Sequence, residues 1–410
     1  MKYFYTLTIV GISISCFGQP RTLDQYIQLA KENNAPLKGI QNQILANQLD
    51  SQILRATTKT QLNFLSNDLY APIIRGWGYD QAITNIAQVS ALVQATKNYI
   101  SKESLAAQYR AIALQSQALR DSIRLSIKDL VRTITDQYIT AYGDQLTMDY
   151  SNELYNLLKK EEDALKKLAQ ASVIKQTEFL AFTITMQQQE LTYLQSKIQF
   201  NTDYLTLNYL AGIVDTTISR LEEPKLQDSI PHDFYSSAFY QKYVTDSLRI
   251  MNERRLIRYT YRPTIGALAD AGYNSSMQIT PYKNFGYSFG VNIKMPLYDA
   301  HQKQMKYRKL DLEERIRLIN KNFFINQYNQ QVGLLTIQLH GTDELFQKIS
   351  QQVDYAKTLI LAYEKLLETS DAKITDFVTA ITNYLNAQNT FRQNLISRLK
   401  IMSQLNYWSQ

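Results

Sequence analysis

The stretch of the chain from 97 to 168 contains no proline and only one glycine, Gly143, so little in it would interrupt a helix. Its apolar residues recur at the three- and four-residue spacing that places side chains on one helix face. The residues of this seam are Ile123, Ile127, Leu130, Ile134 and Tyr138. At 1.5 Å per residue such a helix would be roughly 90 to 100 Å long. A compact single domain has no place for a rod of that length.

Other stretches that are poor in helix breakers predict that most of the chain is helical. The sequence holds only 13 glycines and 8 prolines in 410 residues, which favours long helices over a loop-rich enzyme fold. Thr22 and Gln25 have the spacing of a capping box at a helix start. A second proline-free run begins at His301, and a last helix reaches the C-terminus. The shorter helices are predicted at 22–33, 36–55 and 233–259.

Internal similarity indicates two copies of one helix-strand-strand-helix-helix unit. The best-matched pieces are SVIKQTEF, which begins at Ser172, and SDAKITDF, which begins at Ser370. Period-two alternation predicts two strands in each copy. The predicted divisions are a first repeat at 19–212 with strands at about 58–70 and 81–95, a linker at 213–231, and a second repeat at 232–410 with strands at about 262–274 and 285–298.

The last predicted strand has the clearest alternation of polarity. From Phe285 to Asp299 the chain reads FGYSFGVNIKMPLYD, and every second residue is apolar. Because successive side chains of a strand point to opposite sides, this strand has one apolar face and one polar face. The apolar face carries Phe285, Tyr287, Phe289, Val291 and Ile293, and the polar face carries Gly286, Ser288, Asn292 and Lys294.

Two environments suit an apolar strand face. An amphipathic sheet can pack that face on the core of a soluble protein. Strands of about ten residues also suit a tilted bilayer crossing, and here tyrosines flank the strands where the membrane interfaces would fall. These tyrosines are Tyr259, Tyr261, Tyr273 and Tyr287. We therefore predict that the apolar face contacts lipid and that Ser288, Asn292 and Lys294 face a water-filled lumen.

Four strands cannot close a barrel, although only helices and closed barrels satisfy all their backbone polar groups in hydrocarbon. Several protomers must therefore share one barrel, and three copies supply twelve strands around a lumen. Lys294 supports this orientation because a lysine is costly toward lipid and well tolerated toward water. The predicted fold class is mostly α with a β-barrel part. It combines long helices with four membrane strands per protomer, in a twelve-stranded barrel completed by trimerisation.

The N-terminus, residues 1–18, has the three-part layout of a secretory signal peptide. Lys2 precedes an apolar run, and cleavage is expected after Gly18. Cys16 is the only cysteine and is alternatively a lipidated first residue, although the preceding residues 13–15 match the usual lipidation motif poorly. Plain cleavage leaves an exported chain without a thiol, a disulfide or a thiolate metal site.

Neither the charge nor the histidines indicate another class of protein. The formal net charge is +7, but the basic residues are scattered, so a nucleic-acid partner is not predicted. His232, His301 and His340 are isolated and have no ligand partners at useful spacing. A phosphate-binding glycine loop and a nucleophile elbow are also missing. The sequence therefore predicts no enzyme, no cofactor and no metal site.

The whole mature chain resembles the TolC family of outer-membrane efflux proteins. The resemblance rests on TLDQYIQLAKENNAPL near the start, on YRPTIGALADAGYN followed by FGYSFGVNIKMPLYD, and on the turns SVIKQTEF and SDAKITDF. It implies a homotrimer in the outer membrane of a Gram-negative bacterium, whose helices form a long, coiled-coil-like α-helical barrel as a tunnel in the periplasm. It also implies a periplasmic adaptor protein and an inner-membrane transporter as partners, in a tripartite efflux or type I secretion system.

The resemblance also assigns the two helical turns to the periplasmic end, where a glycine is usually followed six residues later by an aspartate. Aligned on that aspartate, this chain has Glu178 and Asp376, while Ser172 and Ser370 replace the glycines. A further tip aspartate of the family's best-known member falls on Thr379. The gate candidates are therefore Glu178, Asp376, Ser172 and Ser370. The alternative is that both carboxylates only stabilise helix starts through the helix dipole.

A second function remains open from the sequence. An exported coiled-coil scaffold without a transport pore would use the sheets only for assembly. Extraction of the protein from membranes distinguishes the two hypotheses, because a membrane duct requires detergent whereas a peripheral scaffold is released by salt.

Overall fold

The structure is a computed structural model that describes residues 21–80, 87–226, 234–277, 280–369 and 371–409. Several predicted features lie outside the described residues. They are the signal peptide with Cys16, the first part of the second strand, the end of the linker, His232 and the gate candidate Ser370. No helix within the described ranges is long and apolar enough to span a membrane.

The described part of the chain contains seven α-helices, two three-residue 3-10 helices and four strands, and in each half two strands are followed by two long helices. The helices are α1 (Leu23–Asn33), α2 (Ala35–Thr57), α3 (Lys102–Gln170), α4 (Gln176–Leu210), α5 (Ala238–Thr260), α6 (Gln302–Glu368) and α7 (Ile374–Ser409). The strands are β1 (Gln61–Tyr70), β2 (Ala87–Tyr99), β3 (Thr264–Ser275) and β4 (Phe285–Lys294). The mostly α fold class with a four-stranded sheet is confirmed, and the capping box of Thr22 and Gln25 is present. That the halves are copies of one unit stays a prediction.

Several element boundaries differ from those predicted; among them, α5 begins at Ala238 rather than at 233, and β3 begins at Thr264 rather than at 262. Three further differences have a clear physical reason. The long helix begins at Lys102 rather than at 97, because β2 continues to Tyr99, which pairs with Ile265 of β3. β1 begins three residues later than predicted, because α2 continues to Thr57. β4 ends at Lys294 rather than at 298, just before Pro296, which has no N–H for a strand ladder.

The four strands form one sheet in the order β1-β2-β3-β4, and each strand is antiparallel to the next. The register pairs Leu62 with Ala95, Ala95 with Ala269, and Ala269 with Phe289. Cross-strand partners lie on the same side of a sheet. The residues on each side of β4 therefore lie beside residues on the same side of β3, β2 and β1.

The chain divides into two compact units. The first comprises the described residues of Met1–Leu37, Leu125–Ser237 and Asn326–Gln410, and the second comprises those of Lys38–Arg124 and Ala238–Ile325. Each unit takes residues from both predicted repeats. A compact unit is therefore not the same as one sequence repeat.

A tyrosine-rich core in the first unit holds α1 and the segment after α4 against α3. Tyr26 and Tyr138 are fully buried, and their rings meet edge to face with centroids 5.8 Å apart. The Tyr138 hydroxyl donates a hydrogen bond of 2.8 Å to the carbonyl of Glu222, and Gln145 exchanges two hydrogen bonds with the backbone of Leu221. The described part of the predicted linker therefore packs on this core.

In the second unit, the four strands connect to helices at one end of the sheet. Gln61 follows α2, Tyr99 precedes α3, Thr264 follows α5 and Lys294 precedes α6. We call this the helix end of the sheet. Hydrogen bonds join α3 to α5, because Thr245 donates to the buried carboxylate of Asp121 at 2.6 Å. Pairing these buried polar groups avoids the cost of leaving them unsatisfied.

Candidate functional site

The five residues predicted to contact lipid form an uncovered apolar surface on β4. Each of the five side chains is between 69% and 79% exposed, and no described residue covers them. An extended apolar surface of this kind marks an interface rather than ordinary water-exposed surface. The five residues are Phe285, Tyr287, Phe289, Val291 and Ile293.

This surface continues over the neighbouring strands. The register places three rows of residues side by side, and we call the surface that they form the apolar face. The rows are Phe64–Val93–Ala271–Tyr287, Leu62–Ala95–Ala269–Phe289 and Lys97–Ala267–Val291. Lys97, near the helix end, is the one charged residue in these rows.

The residues predicted to line a lumen lie together on the opposite side of the sheet. They are Ser288, Asn292 and Lys294. The Ser288 hydroxyl donates a hydrogen bond of 2.9 Å to the carboxylate of its cross-strand partner Asp270. Gln94 and Asn63 continue this row on β2 and β1. A row of carboxylate, amide and hydroxyl groups suits contact with water, whereas it would be costly toward hydrocarbon.

Gly272 allows β2 and β3 to approach closely within this sheet. Its φ is +153°, and a Cβ atom there would lie 2.2 Å from the carbonyl oxygen of Ala91. Any other side chain would therefore push the two strands apart. Glycine at this position therefore allows β2 and β3 to remain paired.

The two outer strands leave the sheet open in the described part of the molecule. β1 pairs only with β2, and β4 pairs only with β3. Unpaired N–H and C=O groups along such edges are a template for pairing with another strand. The sheet therefore has two edges and an apolar face that the described chain does not cover.

The turn between α3 and α4 places the gate candidate Ser172 in the left-handed conformation, with φ of +58°. The amide of Val173 donates to the carbonyl of Leu168 at 3.0 Å, and the amide of Ser172 donates to that of Ala169 at 3.1 Å. This pair of bonds is the Schellman motif, whose left-handed residue is usually glycine. The geometry gives a physical reason why glycine suits this position.

Glycine at 172 is expected to stabilise the turn. Because an L-residue pays for the left-handed conformation, Ser172→Gly should raise the free energy of unfolding by about 1 kcal/mol. Ala171→Gly is the matched control, and it should lower stability because it adds backbone freedom without relieving strain. Chemical unfolding of both variants measures the two effects. Equal losses in the two variants would contradict the assigned role of residue 172.

Glu178 and Asp376 occupy equivalent places in the two helix starts. Each is the third residue of its helix, α4 or α7. The amide of Glu178 donates to the carbonyl of Lys175 at 3.0 Å, and that of Asp376 donates to the carbonyl of Lys373 at 3.1 Å. Asp376 is exposed and Glu178 is half-buried. A carboxylate in the first turn interacts favourably with the helix dipole, so this placement is compatible with both the gate and the helix-start hypotheses.

One hydrophobic cluster packs the two helix starts together. It contains Phe182 of α4 and Phe377 of α7, both fully buried, and Leu165 near the end of α3. Lys160 of α3 forms a 2.9 Å salt bridge with Glu364 of α6 close to this cluster. The structure therefore gathers both predicted turns at one end of the helices α3, α4, α6 and α7.

Two half-buried carboxyl groups face each other between helices α3 and α4, and no sequence pattern predicted this pair. Asp144 of α3 lies against Asp203 of α4, and Oδ2 of Asp144 is buried without a hydrogen bond from any described donor. Burial and the neighbouring Asp203 raise the pKa of Asp144 to about 7. Although burial opposes it, hydrogen bonds from Asp144, Gln199 and Gln137 lower the pKa of Asp203. A raised pKa on Asp144 next to a lowered pKa on Asp203 favours one proton for the two carboxyl groups, held on Asp144.

Two cations on α7 face this carboxyl pair. The positive charges of Arg392 and Lys400 favour the ionised form of Asp144, but they do not outweigh burial. Arg392 is itself held by Thr147 and Asn389, and burial lowers its pKa. Nothing in the local sequence around Asp144 indicates this cluster, because its members come from three different helices.

The histidines do not form a site in the described structure. His301 and His340 are both exposed, and His232 lies outside the described residues. Among the residues that the structure describes, no group of three or more His, Cys, Asp or Glu side chains is placed to hold a metal ion.

Known structures with the same arrangement of helices and strands are channel proteins. CusC, which forms a transmembrane channel, superposes with a TM-score of 0.75 at 12% identity, over 95% of this chain and 92% of that chain. The outer-membrane protein VceC of Vibrio cholerae gives 0.74 at 12% identity, over 94% of this chain and 96% of its own. The open state of the outer-membrane channel MtrE of Neisseria gonorrhoeae gives a TM-score of 0.72 at 12% identity, over 94% of this chain and 88% of that chain.

Comparisons by sequence gave a different result. No protein-family model matches the chain. No curated protein matches it either. The similarity to the channel proteins therefore lies in the fold, at an identity where sequence comparison alone does not detect it.

Proposed function

We propose that this chain, which has the fold of the TolC-family outer-membrane channels, assembles as a homotrimer into an exit duct across the outer membrane. In this function the twelve strands of three protomers form the membrane barrel, and the long helices form a tunnel in the periplasm. The duct receives substrates through a periplasmic adaptor and an inner-membrane transporter, in a tripartite efflux or type I secretion system.

The observation that carries this proposal is the uncovered apolar face. Phe289 is 79% exposed in the middle row of a surface that spans four strands, and Val291 is 73% exposed in the next row. Leaving such side chains in water forgoes about 1.5 to 3 kcal/mol for each of them. Lipid removes that cost without any further protein, whereas the polar face with Asp270 and Ser288 requires water on the other side.

The open edges favour closure by copies of the same chain. β1 and β4 run antiparallel to each other because the sheet has four consecutive antiparallel strands. The β4 edge of one protomer can therefore pair with the β1 edge of the next, and every pair in the ring stays antiparallel. Two copies would give eight strands, whose interior is filled by side chains, whereas twelve strands leave room for an aqueous lumen.

The experiment that tests the proposal measures assembly and conduction together. The chain is expressed with its N-terminal segment, the membranes are washed with high salt, and the protein is extracted with detergent. We expect detergent to be required, native mass spectrometry to give three times the protomer mass, and planar bilayers to show stepwise conductance. A protein that washes off with salt, stays monomeric and conducts nothing would contradict the duct and favour the exported scaffold.

Asp376 provides a test of the gate assignment. If three protomers bring Asp376 to one axis at the narrow periplasmic end, the ring of carboxylates attracts cations. Asp376→Asn should then raise the relative permeability to anions and weaken block by multivalent cations in planar-bilayer recordings. The effect should shrink toward 1 M salt, where the Debye length is about 3 Å.

Asp354→Asn is the control for the gate variant, because Asp354 is an exposed carboxylate along α6 and not at a helix start. We expect it to leave ion selectivity unchanged. Unchanged selectivity and block in Asp376→Asn at low salt, together with a lower thermal stability, would make the carboxylate a helix-start residue and not part of a gate.

A further inference from the structure

A shallow groove of about 450 Å³ crosses the apolar face. Its floor is formed by Ala95, Ala267 and Ala269, whose side chains end at Cβ. Phe289 and Val291 of β4 stand along one side of it and are 79% and 73% exposed. The groove is therefore about one side chain deep, because the alanines of its floor are shorter than the side chains beside them.

A cation and a hydroxyl lie at the end of this groove that is nearer to the helix end. Lys97 and Thr60 both line it. The Lys97 ammonium lies 5.6 Å from the centroid of the Tyr99 ring, which holds it by a cation–π contact. No carboxylate of the described residues forms a salt bridge with Lys97. The positive charge on this apolar face therefore has no anion within the described protein.

We propose that the groove binds one acyl chain of a glycerophospholipid, whose phosphate contacts the Lys97 ammonium and accepts a hydrogen bond from the Thr60 hydroxyl. The shape and the charge both support this ligand. An acyl chain over the three alanines fills the depression and makes van der Waals contact with its floor and with Phe289 and Val291. The phosphate supplies the anion that Lys97 lacks, and a lysine at the lipid surface attracts anionic lipid by about 1 kcal/mol.

The position of Lys97 also selects the leaflet. This inference rests on the proposed function, in which the helix end of the sheet faces the periplasm. Lys97 lies two residues before Tyr99, the last residue of β2, and its ammonium lies over the Tyr99 ring. The long side chain therefore carries the charge toward the helix end, which is the periplasmic boundary of the bilayer. From there the groove runs past Ala267 and Ala269 toward the middle of the membrane. A lipid of the periplasmic leaflet also has its phosphate at this boundary and its acyl chain directed toward the middle of the membrane.

The test titrates the detergent-purified trimer with palmitoyl-oleoyl phosphatidylglycerol and counts the lipids that native mass spectrometry finds on it. Lys97→Gln removes the charge, and it should weaken binding about fivefold. Ala269→Leu fills the groove, and it should also weaken binding. The controls are Lys294→Gln, a lysine at the same end on the opposite side of the sheet, and Ala91→Leu, an alanine outside the groove. Both controls should bind as the unmodified protein does.

The outcomes separate this inference from the proposed function. Equal binding by Lys97→Gln and Lys294→Gln would overturn the phosphate contact, and equal binding by Ala269→Leu and Ala91→Leu would overturn the acyl-chain groove. Inorganic phosphate added in excess should not displace the lipid, because it lacks the acyl chain. Displacement would mean that Lys97 binds phosphate alone. The same spectra report whether each variant is trimeric, so an unmodified protein that is not a membrane trimer would contradict the duct rather than the lipid site.

Discussion

In the proposed duct, replacing Phe289 with lysine is expected to destabilise the membrane-embedded trimer by about 2 to 4 kcal/mol per protomer, because a lysine in the middle row of the apolar face would be costly toward lipid. Val291→Lys should have a smaller effect in the same direction, because Val291 lies in the row of Lys97, nearer the helix end. More than two thirds of each of the two side chains is exposed. The measurement is the fraction of trimer that survives heating in detergent before gel electrophoresis, together with chemical unfolding in lipid vesicles.

Ser288→Lys is the matched control, because Ser288 is the next residue to Phe289 and lies on the opposite side of the sheet. Its neighbour across the strands is Asp270, which can pair with the new lysine. We expect Ser288→Lys to assemble normally. Comparable damage from all three lysine variants would mean that the two sides of the sheet are assigned the wrong way round.

The second large effect is expected from Asp144→Asn, and it depends on pH. The pKa of Asp144 is raised to about 7 by burial and by Asp203, whereas the unfolded chain ionises it near 3.8. The stability that protonated Asp144 contributes is therefore complete below about pH 4 and is lost as the pH rises to about 7. Above that pH the folded protein holds two facing carboxylates. An asparagine keeps a donor toward Asp203 and carries no charge.

Asp144→Asn should accordingly be more stable than the unmodified protein at pH 8. The raised pKa corresponds to about 4 kcal/mol, and the partial exposure of Asp144 reduces the expected gain to about 2 kcal/mol. The gain should shrink as the pH falls toward 4, where Asp144 is protonated in the folded and the unfolded chain. Chemical unfolding from pH 4 to pH 8 measures this, with exposed Asp354→Asn as the control. A gain that does not change with pH would contradict a shared proton between Asp144 and Asp203.

The elements that the sequence predicted well are those whose signal is local. The capping box of Thr22 and Gln25 spans four residues, and it is present at the start of α1. The alternation from Phe285 to Ile293 needs only the geometry of one strand, and β4 covers it. The motifs that suggested the TolC family are spread over the whole chain, and the structure confirms the fold that they imply.

Predictions were wrong where an element ends through contact with another part of the chain. β2 continues to Tyr99 because β3 supplies hydrogen-bond partners as far as Ile265. The residues between 97 and 99 contain no pattern that predicts pairing with β3. The linker at 213–231 stays a prediction, but its packing was not predicted: its described part belongs to the first unit, where the backbone of Leu221 bonds with Gln145. Both outcomes depend on residues that are distant in sequence, so period and propensity could not reveal them.

The sequence by itself determined that the chain consists of long helices with four short amphipathic strands, because hydrophobic periodicity and the scarcity of glycine and proline act within each segment. The tertiary structure alone decided which segments meet. Strand register put Lys97 beside three alanines in a groove, and helix packing put Asp144 against Asp203. Register and packing depend on many contacts between segments that are distant in sequence. A single sequence shows the pattern within each segment but does not show which other segment packs against it.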